Sequence, residues 1–86
     1  MKPLSVLLVE DDAQFRDAFA RAFAAVNDMR LAATCANGGE ALRWLAQSAP
    51  DVLLVDLGLP DIDGLAVIRD CARQHPNCEI MVITVF

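Results

Sequence analysis

Lysine occurs once in the 86 residues, at Lys2, and seven basic side chains stand against twelve acidic ones, for a formal net charge of −5. That balance excludes a nucleic-acid-binding surface within these residues. Cysteine is sparse and oddly placed. Cys35, Cys71 and Cys78 make no C-x-x-C pair, so neither a disulfide framework nor a zinc site is expected, and the three read as small buried or half-buried thiols. Long apolar runs are missing too: none approaches the roughly 20 residues of a membrane span. The amino terminus, Met1-Lys2-Pro3-Leu4-Ser5, runs straight into a strand-like segment without the apolar stretch and cleavage site of a secretory signal. The expected location is cytoplasmic. Histidine appears only as His75, before Pro76 at the end of a helical pattern, where a surface capping role is expected rather than that of a catalytic base. There is no repeat, linker or low-complexity stretch.

Hydrophobic residues, by contrast, make up 56% of the chain, and the mean hydropathy is +0.40. A chain this apolar folds, and one this short forms a single small domain with a thin stability margin. Its centre of organisation is Val52-Leu53-Leu54-Val55-Asp56-Leu57-Gly58-Leu59-Pro60-Asp61-Ile62-Asp63-Gly64. Four aliphatics without polar alternation suit a strand covered on both faces, and the Gly, Pro and Asp residues after it form a loop. Ser5-Val6-Leu7-Leu8-Val9 repeats that design and ends on Glu10-Asp11-Asp12.

Between these strands, residues 13–26 carry Phe15, Ala18, Phe19, Ala22, Phe23 and Val26 at helical spacing. Asp12 stands at the N-cap position, and the Phe stripe is expected to pack on a sheet. Residues 29–36 alternate Leu31, Ala33 and Cys35 against Arg30, Ala32 and Thr34, as a half-exposed edge strand does. Asn37-Gly38-Gly39 reads as a turn. Residues 40–49 form a helix with Ala41, Leu42, Leu45 and Ala49 on one face, Trp44 at the edge of the core, and Pro50 as its close. A third helix opens at Asp63-Gly64, shows Leu65, Ile68, Cys71 and Ala72 on its inner face, and ends at His75-Pro76. Residues 79–86 are the fourth strand.

The order β-α-β-α-β-α-β predicts right-handed crossovers and a doubly wound parallel sheet. Ligands of such sheets sit at the carboxyl ends of the strands, so Glu10 and Asp11 should approach Asp56. Six of the twelve acids, Glu10, Asp11, Asp12, Asp56, Asp61 and Asp63, follow the two aliphatic runs, a clustering that suits a cation. Mg2+ is the natural occupant, since it takes one or two carboxylates and leaves positions for phosphate oxygens. A carboxylate beside it can act as a nucleophile towards phosphorus. Asp12 and Asp63 are better explained as helix caps.

Val6-Leu7-Leu8-Val9-Glu10-Asp11-Asp12, the 52–64 stretch and Ile80-Met81-Val82-Ile83-Thr84 together resemble the receiver domain of two-component response regulators, over the whole chain. The resemblance implies a flavodoxin-like receiver fold. It makes Asp56 the acceptor of a phosphoryl group from a sensor histidine kinase and Asp11 a direct Mg2+ ligand. Glu10 would act on Mg2+ through water, Gly58 would supply a backbone carbonyl ligand, and Thr84 would be the switch hydroxyl. The chain would then be a signalling module, not an enzyme, relaying to a transcriptional output domain through which DNA is reached.

In that family a fourth helix, a fifth strand bearing a lysine and a fifth helix follow. The 86 residues match the portion before them, and Lys2 lies at the wrong end of the sheet to substitute. Impaired phosphorylation and a homo-oligomer formed through strand four are therefore expected of the chain alone. Two other readings stand beside this one. A pseudo-receiver interaction module would suit the missing lysine. A Mg2+-dependent phosphatase would need a second acid two residues after Asp56, where Gly58 stands.

Overall fold

The two aliphatic runs lie side by side. In the computed structural model, which describes residues 2–83, β1 (Leu4–Val9) and β3 (Val52–Asp56) pair in parallel with Val6 to Val9 opposite Val52 to Val55. β2 (Met29–Cys35) flanks β1 and β4 (Glu79–Ile83) flanks β3, giving the parallel order β2-β1-β3-β4. The helices α1 (Ala13–Ala24), α2 (Gly38–Leu45) and α3 (Gly64–Gln74) make the crossovers. The doubly wound, flavodoxin-like expectation holds. No helix among the described residues is long and apolar enough to cross a membrane.

The two faces of the sheet are covered unequally. α2 and α3 pack together over Leu7, Val9, Leu53 and Val55, and add Ala41, Leu45, Val67 and Cys71 to a fully buried cluster. On the opposite face Val6, Leu8 and Leu54 lie under Phe19 and Phe23 of α1. No α1 residue is fully buried, and Phe15 is 38% exposed, so the Phe stripe is core packing only in part. The reason is one of width. Four strands span about 15 Å, whereas one helix covers about 10 Å.

Several boundaries differ from the sequence expectation. α1 stops at Ala24, with Ala25 as its C-cap and Val26 exposed. β2 is the edge strand expected, but its register slips between Val6 and Leu7, which pair with Leu31 and Ala33. That bulge breaks the simple alternation. Leu31 packs towards α1, while Ala33 and Cys35 face the α2–α3 cluster.

Asn37-Gly38-Gly39 is the start of α2, not a turn before it: Asn37 is the N-cap, and the helix ends at Leu45, leaving Ala49 exposed and Pro50 buried. The inner face of α3 is centred on Gly64, Val67 and Cys71, and Leu65 and Ala72 are exposed. Trp44 sits half-buried at the core edge as expected. His75 does cap α3, but its ring turns inward, with Nε2 2.8 Å from the Leu45 carbonyl oxygen. It thereby ties the ends of α3 and α2 together.

All three cysteines are free. Burial pushes the Cys35 thiol up to about 11 and the Cys78 thiol up to about 12, which suits packing and not reactivity. The expected fourth strand is present as far as Ile83. Its last three positions, Thr84 among them, lie outside the described residues.

Candidate functional site

β1 and β3 are parallel neighbours, so whatever follows Val9 and Val55 meets at one end of the sheet. There Glu10, Asp11 and Asp56 each place a carboxylate oxygen within 4.8 Å of the others. Glu10 is 3% exposed, Asp56 half-buried and Asp11 exposed. One oxygen of Glu10, Oε1, accepts the Asp12 N–H at 3.1 Å. The other, Oε2, is buried with no hydrogen-bond partner among the described residues. Burial raises the proton affinity of the Glu10 carboxyl, the Asp12 N–H opposes this, and the negative charge of Asp56 adds to the rise.

The surrounding backbone is tightly held. Arg16 Nη1 donates to the Glu10 carbonyl at 2.8 Å, anchoring the loop after β1. Asp12 caps α1 by accepting the N–H groups of Gln14 (2.8 Å) and Phe15 (3.3 Å). After β3, Gly58 N–H turns back to Asp56 Oδ1 at 3.0 Å, and Gly64 N–H reaches the Leu57 carbonyl at 3.3 Å. Gly64 is required by space: a Cβ there would sit 2.6 Å from the Asp56 carbonyl oxygen and 2.7 Å from Leu57 Cα. At Gly58 a Cβ would make ordinary contacts, 3.7 Å being the shortest.

The six acids singled out in the sequence therefore divide. Three gather, and the other three cap helices. Asp12 and Asp63 do so as expected, Asp63 accepting Leu65 N–H at 3.0 Å. Asp61 does not join the cation acids as its place in the sequence suggests: Oδ1 accepts Gly38 N–H and Oδ2 accepts Gly39 N–H, each at 2.8 Å, at the start of α2. Those two N–H groups hold the Asp61 carboxyl below the usual carboxylate range. A second device at the same helix start lay in plain view in the sequence. Asn37 Oδ1 accepts Glu40 N–H at 2.9 Å while Glu40 Oε2 accepts Ala36 N–H at 2.8 Å, a variant of the capping box in which the Glu reaches the residue before the N-cap.

Three oxygen donors, one of them buried and unpartnered, fit a hard divalent cation and suit no soft metal. The ion pair among the described residues, Arg73 with Asp70, is on α3 and involves none of the three acids. Lys2 is exposed at the opposite end of β1.

Comparison with known proteins gives this arrangement its family. The response regulator receiver domain model matches residues 6–86. NtrC of Escherichia coli strain K12, a DNA-binding transcriptional regulator, is 37% identical over 92% of this chain and 16% of its own length. YhcZ of Bacillus subtilis strain 168, an uncharacterized transcriptional regulatory protein, is 31% identical over 94% of this chain and 38% of its own. The chain thus spans well under half of these curated relatives.

Among solved structures, the REC domain of AraT, a response regulator from Geobacillus stearothermophilus, superposes with a TM-score of 0.82 at 32% identity, covering 96% of this chain and 65% of that one. The response regulator domain of Thermotoga maritima CheB shares the fold at a TM-score of 0.87 and 20% identity, over 96% of this chain and 61% of that one. With its acids at the ends of β1 and β3 and a family match running from Val6 onward, the chain belongs to the response regulator receiver domain family.

Proposed function

We propose that Asp56 accepts a phosphoryl group from a sensor histidine kinase, and that a longer parent protein relays this event to a transcriptional output domain. The observation that carries the reading is the convergence of Glu10, Asp11 and Asp56, with Glu10 Oε2 buried and unpartnered. Asp11 and Asp56, with Glu10 behind them and the Gly58 carbonyl beside them, are the residues to hold Mg2+. When bound, the ion supplies positive charge that offsets mutual repulsion and the charge of a phosphoryl group.

In the transfer, a carboxylate oxygen of Asp56 forms the new P–O bond as the P–N bond to the kinase imidazole breaks, and the electron pair returns to the ring nitrogen. Asp56 is half-buried, and Gly58 N–H already orients its Oδ1. The switch hydroxyl is proposed to be Thr84 on the family resemblance; in sequence it follows Ile83, the residue paired with Asp56 across β3 and β4. The relation to transcription rests on the names of NtrC and YhcZ.

The test is a titration with Mg2+, alone and with beryllofluoride, of wild type, Asp11→Asn and Asp56→Asn. Wild type should bind both, and Asp56→Asn should lose the beryllofluoride complex. Wild-type protein without Mg2+ affinity would instead be a pseudo-receiver that works by contact alone. A second property concerns β4, where Met81 and Val82 are 58% and 45% exposed and no strand pairs beyond β4 among the described residues. The 86-residue chain should self-associate along that edge. Sedimentation as a monomer across the micromolar range would rule this out.

A further inference from the structure

The 57–63 loop follows the proposed acceptor directly, and its middle is held from outside. Its ends are secured locally, by Gly58 N–H on Asp56 Oδ1, by Gly64 N–H on the Leu57 carbonyl, and by the Asp63 cap. Between them, Leu59 and Ile62 rest half-buried against the α2–α3 cluster. The polar contact of this central part is the fork of Asp61 over Gly38 and Gly39 N–H, 23 and 22 residues away in sequence.

The two glycines leave room for that approach. A Cβ on Gly38 would run into Cγ1 and Cδ1 of Ile62, and one on Gly39 would lie 3.3 Å from Asp61 Oδ2. A carboxylate across two N–H groups at a helix N-terminus is a charge-assisted, dipole-favoured contact. The first turn of α2 is therefore a seat for the loop.

We infer that Asp61 is a positioning residue for the acid cluster: its carboxylate, forked over Gly38 and Gly39 N–H, holds the 57–63 loop in the shape that sets Gly58 beside the carboxylates of Glu10, Asp11 and Asp56. This rests on the reading of that cluster as a divalent-cation site. It assigns α2 a task as well, because its first turn supplies both N–H groups that hold the acceptor loop. A residue that is only a helix cap would stabilise α2 and leave metal affinity unchanged. A positioning residue changes both.

The experiment titrates Mg2+ alone, by calorimetry, into wild type, Asp61→Ala, Asp61→Asn and Asp56→Asn, each well below its own thermal midpoint, with amide exchange followed at Gly58 and Gly64. Asp61→Ala should weaken Mg2+ binding about tenfold, the lower end of outer-shell effects on metal affinity, and speed exchange at both amides. Asp61→Asn keeps one oxygen acceptor and should fall between it and wild type.

Wild-type Mg2+ affinity in Asp61→Ala, with only the thermal midpoint lowered, would reduce Asp61 to a helix cap and overturn the inference. If Asp56→Asn also binds as wild type does, the cation reading itself fails, which is a different result from the failure of Asp61 alone. Should Asp61→Ala not fold, Gly38→Ala is no substitute for it. Gly38→Ala pushes on Ile62 and leaves the Asp61 fork its N–H partners, so the decision then falls to Asp61→Asn, where weaker Mg2+ binding supports the inference and wild-type binding refutes it.

Discussion

Glu10 and Asp61 stand on loops at the same end of the sheet and carry the same functional group, yet their proton affinities move in opposite directions. Glu10 is buried against Asp56 and has one oxygen without a partner, so its carboxyl is raised. Asp61 is exposed, faces two N–H groups, and is lowered. The difference teaches that an acid at a strand end has no fixed role. Facing other acids, it asks for a cation; facing the start of a helix, it is already satisfied.

The join between the two regions is the place to break the comparison most severely. Gly64→Val should lower unfolding free energy by about 2–3 kcal/mol in a urea titration, since the new side chain meets backbone atoms of Asp56 and Leu57. Both the acid cluster and the loop seat should be disturbed together. Next in size is the response to cation. At tenfold excess over its dissociation constant, Mg2+ should stabilise the chain by about 1.4 kcal/mol, and Asp11→Asn should remove that gain.

A sharper contrast comes from Glu10→Gln. The amide keeps an oxygen for Asp12 N–H and removes a buried charge, so the metal-free chain should gain about 1 kcal/mol at neutral pH while losing Mg2+ affinity. Removing an acid whose negative charge is satisfied does the reverse: Asp63→Ala should cost about 0.5–1 kcal/mol through its cap on α3, with Mg2+ affinity unchanged.

The smallest effects are the two pH limbs. Glu10 has a raised folded-state value, so its neutral form is favoured in the fold, and stability is lost as pH climbs from 4.5 through the raised value. Wild type should show this loss relative to Glu10→Gln, and Mg2+ should suppress it. Asp61 has a lowered value, so its contribution is present above 3.8 and is lost as pH falls through the folded-state value. Thermal melts of wild type and Asp61→Ala should converge on that acid side.

Much of this was legible in local pattern. The aliphatic runs ending at Val9 and Val55 announce parallel strands, and their adjacency brings Glu10 and Asp11 to Asp56. Asp12 and Asp63 precede helices and cap them, because a cap reaches only two or three residues along the chain. The role of Asp61 was not legible: its partners are 22 and 23 residues away, and nothing near Pro60 or Ile62 marks them. Nor was the bulge in β2, which sends Leu31 to one face and Ala33 to the other. A slip of one residue leaves the sequence pattern unchanged and reverses the side-chain direction.

The short-range pattern of aliphatics, acids and glycines specified the order of strands and helices, and it named the carboxylates that end β1 and β3. Strand pairing is a choice among few topologies, and a buried aliphatic strand has few places to go. Which acid meets another acid and which meets an N–H group was settled across space. Hydrogen bonds and Coulomb interactions act over a few ångströms, and those distances exist only once the first turn of α2 has come to rest beside the loop that follows Asp56.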